Sequence, residues 1–130
     1  MVKLSYTILY VRDVAASLAF YEKAFGLQRK FITPDQTYGE LLTGETTLSF
    51  ADFELASTNL SAGFTQSNIQ HKPFGTELGF TTDDVADVVA TAVQEGAVLV
   101  EEVRTKPWGQ EVAYLRDPDG FLIEICTPMG

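Results

Sequence analysis

The sequence predicts an α+β domain built from two copies of one βαβββ module, and three observations carry that reading. Two short strand patterns, Leu4–Val11 and Glu77–Thr81, are each followed by an aspartate and an amphipathic helix that stops at a glycine. Three further strand-like runs follow each helix. The capping aspartates, Asp13 and Asp84, lie 71 residues apart, and the closing glycines, Gly26 and Gly96, lie 70 apart. A repeat with matching starts and stops is harder to obtain by chance than any single element.

The first strand pattern is rich in β-branched and aromatic residues, with Tyr6, Ile8 and Tyr10 on one face and Thr7, Leu9 and Val11 on the other. Asp13 then supplies a helix cap, and Val14, Leu18, Tyr21 and Phe25 recur at helical spacing. Leu27–Ile32, Tyr38–Thr43 and Thr46–Ala51 read as strands, divided by Pro34-Asp35 and Gly44-Glu45, both turn sequences. Residues 53–75 are polar and lose periodicity, so they are expected to link module 1–52 to module 76–127 within a single domain. In the second module Asp84 caps a stripe of Val85, Val88, Val89, Ala92 and Val93. Val98–Val103, Glu111–Leu115 and Phe121–Cys126 complete it, the last two joined by the tight-turn sequence Asp117-Pro118-Asp119-Gly120.

Composition narrows the function classes. The 130 residues include 18 acidic against 9 basic side chains, a net charge of −9, whereas nucleic-acid binding draws its affinity from basic residues that displace counterions. No nucleic-acid partner is expected. No run approaches the roughly 18 apolar residues of a membrane span, and the first residues lead straight into a strand pattern, so the expectation is a cytoplasmic protein with no membrane partner. Cys126 is the one cysteine, which excludes an intramolecular disulfide, and its apolar surroundings suggest a small buried hydrophobe. A Gly-rich phosphate loop, a Gly-x-Ser-x-Gly elbow and a His-Glu-x-x-His motif are all missing.

The segment Ala16-Ser17-Leu18-Ala19-Phe20-Tyr21 with Gly26-Leu27, followed a repeat later by Arg116-Asp117-Pro118-Asp119-Gly120-Phe121-Leu122-Ile123-Glu124-Ile125, resembles the vicinal oxygen chelate superfamily of glyoxalases, extradiol dioxygenases and bleomycin-resistance proteins. The resemblance spans nearly the whole chain. It implies that the modules form paired half-barrels around a cavity, commonly in a homodimer. In metal-dependent members, strand residues of both modules chelate a divalent ion. The corresponding positions here are Tyr6, its repeat partner Glu77, Glu124 four residues after Gly120, and Ser49. Enzymes of the family usually place His, Gln or Glu there, whereas this chain offers two carboxylates, a phenol and a hydroxyl.

The expectation is therefore no cofactor, with a divalent ion on Glu77 and Glu124, of the hard magnesium or manganese kind, as the alternative. The one histidine, His71, falls in the linker, badly placed to replace a strand ligand. Glu124 stands among Phe121, Leu122, Ile123 and Ile125, so it must reach the cavity or find a partner such as a neighbouring strand or a Tyr hydroxyl. Facing the cavity, Glu124 or Glu77 would suit general-base work or pairing with a cationic ligand. Tyr6 and Tyr10 read as aromatic cavity walls or as core packing. Trp108, within Lys106-Pro107-Trp108-Gly109-Gln110, reads as a stacking or lid residue, or as simple rim packing. Together these features predict a small-molecule protein that binds or sequesters its ligand without metal. The alternatives are a metal-dependent or metal-free lyase, isomerase or dioxygenase of the glyoxalase type, and a non-catalytic interaction protein that retains the fold.

Overall fold

The computed structural model describes residues 1–129. Their elements run β1 (Thr7–Val11), α1 (Val14–Phe25), β2 (Gln28–Ile32), β3 (Tyr38–Thr43), β4 (Thr46–Asp52), α2 (Phe53–Asn59), β5 (Leu78–Thr81), α3 (Val85–Gln94), β6 (Val98–Thr105), β7 (Glu111–Arg116) and β8 (Leu122–Cys126). The chain divides into two compact units, Met1–Glu22 with Gly26–Gln66, and Lys23–Phe25 with the chain from Ser67 onward.

The first unit holds a four-stranded sheet in the order β1-β4-β3-β2, in which β1 runs parallel to β4 and the other pairs are antiparallel. Alternation sorts its residues by face. Leu9, Val11, Leu41, Leu48 and Phe50 are buried on one face, each contributing about 1.5–3 kcal/mol through burial. That face is covered by α1, whose Tyr21 ring lies 5.3 Å from Phe50. Gly39 makes the approach possible, because an added Cβ would sit 2.7 Å from Leu18 Cδ1 and 3.3 Å from Val14 Cγ1. As its sequence suggests, α1 begins with the Asp13 carboxylate accepting from the Ala16 amide at 3.1 Å.

The second unit repeats the scheme in the order β5-β8-β7-β6, with β5 parallel to β8. Ala113, Leu115, Ile123 and Ile125 are fully buried on one face, and Val85, Val89 and Ala92 of α3 are buried with them. Here too the capping aspartate works as read, with Asp84 Oδ1 accepting from the Asp87 amide.

The segment 53–75 differs from the expectation. Its first third is the helix α2, not irregular chain. The Asp52 carboxylate caps it through the Leu55 amide at 2.8 Å, while Ser57 and Thr58 turn their hydroxyls back onto the Phe53 and Leu55 carbonyls. Polar residues that read as loop thus spend their hydrogen bonds inside a helix turn, and Ala56 alone supplies a fully buried contact. Farther on, the Arg116 guanidinium donates to the carbonyls of Asn68, Ile69 and Gly120, fastening this segment to the turn between β7 and β8. Gly120 adopts φ 94°, and a Cβ there would meet the Asn68 backbone at 2.8 Å. The position therefore requires glycine on two counts.

Candidate functional site

The face of each sheet not covered by its helix carries the polar residues. In the first unit that face presents Tyr6, Ile8 and Tyr10 from β1 and its lead-in, Ser49 from β4, and Tyr38 and Glu40 from β3, since Ser49 pairs with Ile8 on one side and Glu40 on the other. The Tyr38 hydroxyl donates to Glu40 Oε2 at 2.7 Å, and Lys30 Nζ lies 3.6 Å from Glu40 Oε1. Burial, opposed by the nearby Ser49 hydroxyl and reinforced by the Glu40 carboxylate, pushes the Tyr38 phenol above its usual pKa. Ser49 Oγ is buried and meets no partner at full hydrogen-bonding geometry, its contact with Tyr38 being too imperfect to satisfy it. Tyr6 is exposed beside this group. Tyr10 is half-buried and packs edge-on against Phe64, with ring centroids 4.8 Å apart, so its ring is engaged in packing.

The second unit places Glu124 at the matching ladder position, between Gly79 of β5 and Tyr114 of β7. Both carboxylate oxygens of Glu124 are held. Tyr114 donates its hydroxyl to Oε2 at 3.0 Å and Cys126 donates its thiol to Oε1 at 3.4 Å. Cys126 is buried as read, but it is more than a small hydrophobe, because it supplies one of those two donors. Burial raises its thiol pKa, and the Glu124 carboxylate raises it further, so the thiol stays protonated and donating. Tyr114 is pushed up to about 12 by burial first and by its bond to Glu124 and the two acidic charges next. Glu77, at the entry to β5, lines a recess of about 310 Å³ with Gly75, Thr76 and Leu122. Although solvent reaches it, partial desolvation and then the Glu124 charge raise its carboxyl above the ordinary range.

The structure therefore brings Glu77 and Glu124 within electrostatic reach of each other in the second unit, and Tyr6 and Ser49 into one cluster on the first sheet. Trp108 stands in the turn before β7, 65% exposed, with its indole N–H donating to Gln110 Oε1 at 2.9 Å. His71 is exposed in the linking segment. Tyr114, Gln110, Tyr38 and Lys30 are the participants that sequence reasoning did not single out. Tyr114 meets Glu124 only through strand register, whereas Tyr38 and Gln110 each lie two residues from a partner, Glu40 and Trp108.

Among the described residues no three His, Cys, Asp or Glu side chains gather where they could hold a metal ion, and the two carboxylates Glu77 and Glu124 are the donors a hard divalent ion would have here. No helix among the described residues is long and apolar enough to cross a membrane.

The model of the Glyoxalase/Bleomycin resistance protein/Dioxygenase superfamily matches residues 3–125. The chain belongs to this superfamily. An uncharacterized protein of Bacillus subtilis, YwbC, is 31% identical over 95% of both chains. A probable lactoylglutathione lyase of Vibrio parahaemolyticus is 26% identical, over 95% of this chain and 88% of its own. The crystal structure of a superfamily enzyme from Burkholderia phytofirmans superposes with a TM-score of 0.84 at 26% identity, covering 98% of this chain and all of its own. The two four-stranded sheets with three helices are thus the superfamily's α+β fold.

Proposed function

We propose that the protein holds a small organic ligand with a cationic or hydrogen-bond-donating group against Glu77 and Glu124, without a metal ion and without transforming it. One observation carries this reading. Two carboxylates share the open face of the second sheet, and neither forms an ion pair among the described residues. A cation arriving there would relieve the repulsion that raises the Glu77 pKa, so affinity should increase with pH through the carboxylate range. The homodimer and the cytoplasmic location expected of the superfamily member belong to the same proposal, and sedimentation equilibrium would check the first.

A second reading is favoured by Glu77 itself. A carboxyl with a raised pKa suits proton transfer, as a glyoxalase-type lyase or isomerase requires, and one relative is named a probable lactoylglutathione lyase. Thermal shift on protein purified without chelators separates the two. Benzamidine and benzyltrimethylammonium serve as cationic probes, benzamide as the neutral control, and magnesium, manganese, iron, cobalt, nickel and zinc as metals. Under the binding reading the cationic probes stabilise more than benzamide, by about 2.7 kcal/mol at 100 times the dissociation constant, and the gain vanishes in Glu77→Gln/Glu124→Gln. Turnover of the methylglyoxal–glutathione hemithioacetal, or a metal-induced shift lost in that double variant, would overturn it in favour of the enzyme.

A further inference from the structure

Gly79 lies in the interior of β5, exposed, on the rung that pairs it with Glu124 and Glu124 in turn with Tyr114. Nothing in the backbone calls for glycine there. Its φ is not in the left-handed region, and an added Cβ would meet one atom within 4 Å, Glu124 Oε1 at 3.6 Å, which is an ordinary contact. The repeat partner, 71 residues earlier, is Ile8, paired with Ser49 on the first sheet, so the fold accepts a branched side chain at this position. A glycine inside a strand weakens the strand and often marks a place where another group approaches the backbone closely. Here it leaves open space directly beside Oε1, on the strand that Glu77 leads into.

The carboxylate beside that space is fixed at both oxygens. Oε2 faces β7, where the Tyr114 hydroxyl donates to it at 3.0 Å, while Oε1 faces β5 and accepts from the Cys126 thiol at 3.4 Å. The thiol is steadied in turn by the Gln110 side chain, which is in hydrogen-bonding contact with Cys126 and is anchored to the Thr127 carbonyl at 2.9 Å. A carboxylate offers about four lone-pair sites, so two donors leave roughly one on each oxygen. Held from two sides, the group cannot turn to suit a ligand, and the ligand must match it. Two coplanar lone pairs suit a planar fork of two parallel N–H groups, as in an amidinium or a guanidinium. They suit a quaternary ammonium, which has no N–H, poorly. Glu77 supplies the second negative charge that such a cation would meet.

We propose, on the reading that Glu77 and Glu124 bind a cation, that Gly79 is the specificity-determining residue of that site. Its missing side chain admits the edge of a planar amidinium or guanidinium to Glu124, while Tyr114 and Cys126 are positioning residues that hold the carboxylate for a two-bond fork.

Calorimetric titration of the full chain with benzamidine and with benzyltrimethylammonium tests this. The parent should bind benzamidine at least about tenfold more tightly. Gly79→Ala, whose methyl fits without strain, should remove most of that preference, and Gly79→Val the rest, with circular dichroism spectra unchanged. Cys126→Ala should narrow the affinity ratio several-fold, whereas a residue with a merely structural role would weaken both cations alike. The hold on the carboxylate is also readable without ligand, because Cys126 is the one cysteine. Its infrared S–H stretching band should lie at the low frequency of a thiol bound to a carboxylate and should rise in Glu124→Gln. Equal affinities for the two cations, an unchanged ratio in Gly79→Ala or Cys126→Ala, or an S–H band indifferent to Glu124→Gln would overturn the proposal while leaving cation binding in place. If neither cation binds, or binding survives Glu77→Gln/Glu124→Gln, the cation-binding reading falls and the role of Gly79 falls with it.

Discussion

The two modules share an element order, a ladder and a capping scheme, yet they neutralise their open faces differently. Each face carries a phenol donating to a carboxylate, Tyr38 to Glu40 in the first and Tyr114 to Glu124 in the second. In the first, Lys30 stands beside Glu40 and the cluster is electrically closed. In the second, the added acid is Glu77, and no cation is paired with it or with Glu124 among the described residues. A duplicated fold has thus kept one half quiet and left unbalanced charge on the other, which is where a ligand's charge gains most.

The buried faces differ as well, and the largest effect is expected there. Phe50 pairs with Gly39 in the first sheet, and at the matching rung Ile125 pairs with Ala113 in the second. The bulky α1, with Leu18 and Tyr21 fully buried, needs the missing methyl, whereas α3 faces its sheet with Val85, Val89 and Ala92. Gly39→Ala should cost about 1–3 kcal/mol, because the new Cβ would also stand 3.1 Å from the Phe31 carbonyl, which cannot easily move. Ala113→Gly, the reverse exchange, should cost only about 1 kcal/mol through lost contact and added backbone freedom. Urea unfolding with an unchanged slope measures both. Equal costs would mean that the helices, not the glycine, adjust the packing.

Truncating the phenols tests the open faces. Tyr114→Phe leaves Glu124 with Cys126 as its only donor and Glu77 as a neighbouring charge, so it should destabilise by about 1–2 kcal/mol. Tyr38→Phe leaves Glu40 with Lys30 and should cost about 0.5–1 kcal/mol. Alkaline spectrophotometric titration distinguishes them further, since only Tyr114→Phe removes the phenol pushed up to about 12. The sign follows from the upward shift. Above the ordinary phenol value of 10 the unfolded chain releases the Tyr114 proton first, so stability falls from pH 10 to about 12 and then levels. The slope should flatten in Tyr114→Phe.

The fold was legible because periodicity, caps and glycines recur at offsets of 70 to 71 residues, and those signals are local. The partners within the site were not, because they depend on register across β7 and β8. Taking Asp117–Gly120 as a four-residue turn pairs Arg116 with Phe121 and sets Tyr114 opposite Ile123. In the structure Phe121 stays in the loop, its amide bound by the Asp117 carboxylate and its carbonyl accepting from the Asp117 amide, and Arg116 pairs with Leu122. That single extra residue moves Tyr114 beside Glu124. Glu124 itself was legible as a carboxylate in need of a partner, since an unpaired charge in an apolar run is costly wherever it lies. The helix α2 escaped for a different reason, because hydroxyls that usually mark loops bond back to their own helix.

The smallest effect is expected at Glu77, and it isolates the charge imbalance between the modules. Its carboxyl is raised by desolvation and by Glu124, so the native chain holds that proton to higher pH than the unfolded chain does. The sign is therefore opposite to that of a salt-bridged carboxylate. Its contribution is fully present below the ordinary carboxyl value of 4.5 and is lost as pH rises through the raised native value. Glu77→Gln removes this loss. The variant should melt slightly higher than the parent at pH 7, within the roughly 0.5 kcal/mol typical of exposed sites, and should match it near pH 4. Glu40→Gln supplies the contrast, because Lys30 stands 3.6 Å from Glu40, and removing that carboxylate should lower stability at pH 7 instead. Opposite signs at the two carboxylates would locate the unbalanced charge in the second module. A loss at both would mean that Glu77 has a cationic neighbour in solution, and the basis for a cation site there would fall.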